Sequence, residues 1–65
     1  MPLSERERAI LRQLVRDSTN GQIARDLDIT QAAVKVHLTH LFQKLGVENR
    51  SQAITWARGN ACYGF

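Results

Sequence analysis

Four helix-start signals divide this chain, and the breaks between the helices they open are only a few residues long. Ser4 is followed three residues later by Glu7, and Thr19 by Gln22. In each pair the hydroxyl and the longer side chain satisfy backbone donors that a first helical turn leaves unpaired. Thr30, and Asn49 with Gln52, are placed to cap two more helices. The first predicted helix runs to about Arg16, with Ile10, Leu11, Leu14 and Val15 on one face, until the polar break at 17–21. The second is short and carries Ile23, Ala24 and Leu27. A connection of about three residues then requires it to cross the third steeply, as in a helix-turn-helix. The third, Gln31 to Leu45, presents Val34, Leu38, Leu41, Phe42 and Leu45 on one stripe. Gly46 suits a left-handed ending, with Val47 placed to touch Phe42. The fourth carries Ala53, Ile54, Trp56 and Ala57 and stops at Gly59. The expected fold is all-α, with four helices forming one domain over 3–58 and a loose tail over 59–65.

With 65 residues the core must be small. Cys62 is the one cysteine, so no disulfide within the chain can reinforce it, and helix packing must supply the stability. The apolar residues occur in ones and twos, far from the roughly 20 in a row that span a bilayer, and no basic-then-apolar leader follows Met1. A soluble protein of the cytoplasm, with no membrane partner, is the expectation. Nine Lys and Arg against six Asp and Glu give a net charge of +3, which suits a polyanion without proving one. No nucleophile, base and oxyanion donor are grouped and no glycine-rich phosphate loop occurs, so enzyme activity is not expected.

Removing the core stripe from the third helix leaves Gln31, Ala32, Lys35, Val36, Thr39 and Gln43 together on the other side. An ordinary solvated face is rich in Glu and Lys, whereas this one has no acid, one lysine and an exposed β-branched valine. Lys35 can donate to guanine N7 and O6, Val36 can meet a thymine methyl, and Gln31 or Thr39 can reach a base edge or a phosphate. A plain polar helix surface remains open as the alternative. The starts of the second and third helices, near Asn20 and Gln31, offer outward amides for phosphate, with Lys44 and Arg50 close by in sequence.

The segments Leu3-Ser4-Glu5-Arg6-Glu7, Asn20-Gly21-Gln22-Ile23-Ala24, Val34-Lys35-Val36-His37-Leu38 and Lys44-Leu45-Gly46-Val47 resemble the LuxR-type, or GerE-like, helix-turn-helix. The resemblance covers nearly the whole chain, with 43–53 similar to GerE and 27–36 to the nitrate response regulators. It implies a bacterial transcription-factor domain, resident on the nucleoid, that binds double-stranded DNA as a homodimer and needs no cofactor. RNA polymerase and an N-terminal regulatory domain, often a phosphorylated receiver, are the further partners it implies. By position, Lys35, Val36 and Thr39 match base-reading sites of the family. Asn20, Thr30, Gln31, Ala32, Lys44 and Arg50 match positions near the DNA backbone, and Ala53, Ile54 and Ala57 match the usual dimer surface. Three residues depart from the family pattern: Thr39 and Gly21 stand where cations are frequent, and Asp17 where glycine is common. These departures predict weak binding by the isolated domain, restored by dimerisation.

His37 and His40 lie three apart on one helix, but no third or fourth ligand accompanies them, so no metal is expected. Trp56 reads as packing between the first and fourth helices or in a dimer seam. Cys62 has no neighbouring base or partner sulfur to make it reactive. The competing function is a protein-interaction module on the same fold, for which Gly21 and Thr39 would mark a relaxed DNA face.

Overall fold

The computed structural model describes residues 3–60, and every helix begins at its expected cap. The helices are α1 (Glu5–Val15), α2 (Asn20–Leu27), α3 (Gln31–Leu45) and α4 (Arg50–Gly59). At α1 the Glu7 N–H donates to Ser4 Oγ over 3.1 Å, and Ser4 N–H donates to the Glu7 carboxylate over 2.8 Å. Thr19 and Gln22 make the same reciprocal pair at α2, at 3.1 and 2.8 Å. Thr30 accepts from Ala33 N–H at 3.0 Å, and Asn49 from Gln52 N–H at 2.9 Å. The Gln52 side chain reaches back one residue beyond the cap, to Glu48 N–H at 2.7 Å.

Helices α1, α2 and α3 end alike, with one residue turned left-handed and the next N–H reaching back to a carbonyl five residues earlier. The turned residues are Asp17 (φ 60), Asp28 (φ 57) and Gly46 (φ 72), and the long bonds are Ser18 to Gln13, Ile29 to Ala24 and Val47 to Phe42. Only at α3 is that position a glycine. An L-residue there brings Cβ close to its own following carbonyl, which aspartate tolerates better than most but not for free. Asp17→Gly is therefore expected to stabilise the domain by up to about 1 kcal/mol, part of the relief being offset by the freer unfolded chain. A higher urea midpoint at unchanged slope would show this; a lower midpoint would mean the Asp17 side chain contributes more than its strain costs.

The core takes Ile10, Leu11 and Leu14 from α1, Ile23 and Ala24 from α2, Val34, Leu38 and Leu41 from α3, and Ala53 and Ala57 from α4. Helix α2 packs on α3, α1 packs on α4, and α3 joins the two pairs through contacts with α1 and α4. Two polar ties reinforce the junction of α1 and α2: Gln13 Nε2 donates to Asp26 Oδ2 at 2.7 Å, and Ser18 Oγ donates to Gln13 Oε1 at 2.7 Å. Trp56 is half-buried and packs against the core, as does Phe42.

Two expectations about α4 need correction. Ala53 and Ala57 were expected on a dimer surface, yet both are 0% exposed, because their small side chains let α4 lie close to α1. A partner cannot touch them without opening the core. Gly59 was expected in the tail, but α4 includes it, and Asn60 closes the helix through its N–H on the Trp56 and Ala57 carbonyls. The expectations for Cys62 and for the rest of the tail lie outside the described residues. Among the described residues no helix is long and apolar enough to cross a membrane.

Candidate nucleic-acid interface

Helix α3 contains no acidic residue, and its two sides differ sharply. Val34, Leu38 and Leu41 are buried, whereas Gln31, Ala32, Lys35, Val36 and Thr39 are exposed. Val36 is 54% exposed, the large apolar side chain that the fold leaves in solvent among the described residues. Burying the 34/38/41 stripe turns Val36, about half a turn from Val34 and Leu38, outward, with Ala32, Lys35 and Thr39 on the flank beside it. Thr39 Oγ1 donates back to the Lys35 carbonyl at 3.0 Å.

The first turns of α2 and α3 lie side by side. A Cβ built on Gly21 would meet the Gln31 side-chain amide at 3.4 Å, an ordinary contact. Gln31 and Ala32 open α3 and are exposed, and their amides precede the first intrahelical bond. Thr30 is exposed too, and its hydroxyl oxygen is already the cap for Ala33.

Asn20 and Arg50, both expected beside the DNA backbone, meet each other. The Arg50 guanidinium donates to Asn20 Oδ1 at 2.9 Å and also to the Ser18 carbonyl. Both residues are half-buried. Arg50, the first residue of α4, thereby ties that helix to the start of α2, and holds the Asn20 amide with its nitrogen turned away from the arginine.

Lys44, expected beside the DNA backbone, has a side chain 43% exposed and one partner within the fold. Its Nζ lies 2.9 Å from Glu7 Oε1, and Glu7 is only 7% exposed. On α3 Lys44 projects about half a turn from the side of Lys35, toward α1, because nine steps of 100° bring it opposite. It is a brace between α1 and α3. The Ser4 backbone N–H, and next the Lys44 ammonium, hold the Glu7 carboxyl below the ordinary glutamate range, against the opposing effect of burial. Nothing local foreshadows this pair: Glu7 is fully accounted for by its cap, and the two residues are 37 positions apart. The Arg50 tie, across 30 and 32 positions, was equally hidden.

Residues 1–57 match the luxR family of bacterial regulatory proteins. The chain belongs to that family. The LuxR-family domain is 47% identical over 58 residues to the CsgBAC operon transcriptional regulatory protein of Escherichia coli K12, covering 89% of the chain and 27% of that protein. It is 43% identical over 54 residues to the nitrate/nitrite response regulator NarL of the same strain, covering 83% of the chain and 25% of NarL. Its fold superimposes on the response regulator ChrA of a heme-sensing two-component system with a TM-score of 0.86 at 48% identity, covering 94% of the chain and 30% of ChrA. The chain thus spans from 25% to 30% of the length of these relatives. Membership identifies a helix-turn-helix domain of the DNA-binding, transcription-regulating class, not an enzyme.

Proposed function

We propose that the domain reads the major groove with α3, using Lys35, Val36 and Thr39 on base edges. The observation that carries this reading is the acid-free outer side of α3, where Val36 stands in solvent across from the buried stripe and Lys35 is exposed on the adjoining flank. Around it, the first-turn amides of Gln31 and Ala32, the Thr30 hydroxyl and the Asn20 amide are proposed to hold the DNA backbone, with Arg50 acting beside Asn20. These contacts set register, and the base edges set sequence. Lys44 supports the reading by fixing α3 against α1.

Dimerisation is proposed through the outer side of α4, where half-buried Ile54 is flanked by exposed Ser51, Thr55 and Arg58. Two copies joined there would set their α3 helices in successive major grooves, about 34 Å apart, on a near-palindromic site. Because its relatives include response regulators, we infer that the domain works on the nucleoid under a regulatory domain and together with RNA polymerase.

Selection from a random duplex pool at two salt concentrations tests the reading. The expected product is a consensus with two-fold symmetry. A folded sample that enriches nothing would favour a protein-interaction module instead. Gly21 offers a separate check on orientation, since a lysine there has room beside Gln31. Gly21→Lys is expected to tighten binding and to steepen the salt dependence by about 0.9 in log K against log salt, one more released counterion. An unchanged slope would mean that the start of α2 does not face the duplex.

A further inference from the structure

Thr39 is the outer residue of α3 whose chemistry its composition leaves most ambiguous, because a threonine can present a hydroxyl donor, an acceptor or a methyl. The structure narrows this. Its hydroxyl hydrogen is engaged by the Lys35 carbonyl one turn earlier, at 3.0 Å. Such back-bonding gives the hydroxyl a partner within its own helix. The guanine N7 and O6, adenine N7 and thymine O4 acceptors of the groove floor all need a donor. Thr39 in this arrangement has none to offer, while its γ-methyl remains on an exposed position. Val36 lies three residues earlier, 54% exposed, with two methyls and no polar atom on its side chain. The two residues are about 4.5 Å apart along the helix axis, between one and two base-pair rises of about 3.4 Å, so their methyl groups can meet neighbouring base pairs.

We infer that Val36 and Thr39 act together as a methyl-reading pair, so that the half-site places thymine C5-methyl groups on neighbouring base pairs, beside a guanine for Lys35. Thr39 is thereby a specificity-determining residue that reads by apolar contact and donates no hydrogen bond to a base. The inference rests on α3 being the recognition helix.

The test uses the 65-residue chain and the duplex it enriches from a random pool. Each thymine of the half-site is replaced in turn by deoxyuridine, which differs only in lacking the C5-methyl. Two of these replacements, on adjacent base pairs, are expected to weaken binding about four-fold each, the factor equivalent to about 0.8 kcal/mol per buried methyl-sized group. Thr39→Val keeps the branched shape and should retain both affinity and the preference for thymine over deoxyuridine. Thr39→Ser keeps the hydroxyl, loses the methyl, and should abolish that preference at one of the two positions. Circular dichroism on both variants confirms that the helices persist.

Enriched duplexes that tolerate every deoxyuridine without loss would overturn the methyl-reading pair while leaving α3 as the reader. So would a Thr39→Val that loses affinity where Thr39→Ser keeps it, since the hydroxyl would then be the reading group. A pool that yields no enriched sequence from folded protein would remove the recognition-helix reading itself, and this inference with it.

Discussion

Leu41→Ala is expected to lower the melting temperature by roughly 10–30 °C. Leu41 is fully buried among side chains of the core. Truncating a leucine in such a position costs about 2–5 kcal/mol, from lost burial and from the cavity that neighbours cannot close. A domain of 65 residues holds only about 3–10 kcal/mol in total. No disulfide within the chain can make up the difference, because Cys62 has no second cysteine to pair with. At 37 °C the variant should therefore show a large loss of helical circular dichroism and no specific DNA binding, the second being a consequence of the first. A melting temperature within a few degrees of the parent would mean that the packing around α3 differs from that described.

Lys35→Ala should have the largest effect on recognition, and by an opposite route. Lys35 is exposed, and the ion pair found among the described residues belongs to Lys44, so nothing in the fold depends on the Lys35 ammonium. Helical content and melting temperature are expected to stay as they are. Affinity for the selected site should fall by about 1–3 kcal/mol, roughly five- to 150-fold, while binding to unrelated duplex falls much less. Titration of both duplexes at one salt concentration gives the two losses side by side. Equal losses on both would reduce Lys35 to a general cation, and no loss on either would favour the protein-interaction module.

Placed together, the two variants separate the halves of α3. Leu41 and Lys35 lie on one helix, but one side chain has no contact with water and the other has little contact with the protein. The same regular geometry that buries the first exposes the second.

The element boundaries were legible because their causes are local. A cap and the side chain three residues later lie on one turn, so Ser4 with Glu7 and Thr19 with Gln22 mark the helix starts whatever else the chain does. The outward side of α3 was legible for the same reason, its buried stripe being a matter of spacing. The left-handed endings at Asp17 and Asp28 were not foreseen as such, since aspartate carries no obligation to turn the chain as glycine at Gly46 does.

Everything that depends on one helix lying against another had to come from the assembled molecule. Position alone put Lys44 and Arg50 beside DNA, but packing commits Lys44 to Glu7 and turns Arg50 onto Asn20 and Ser18. Position alone likewise put Ala53 and Ala57 on a pairing surface, and packing buries both, leaving Ile54 at the rim. Sequence by itself determined four helices, their starts and the residues α3 turns outward, because those follow from hydrogen bonds and periodicity within a few residues. Which charges are free and which small side chains are covered was decided only by the tertiary structure, because those outcomes join residues 30 or more positions apart.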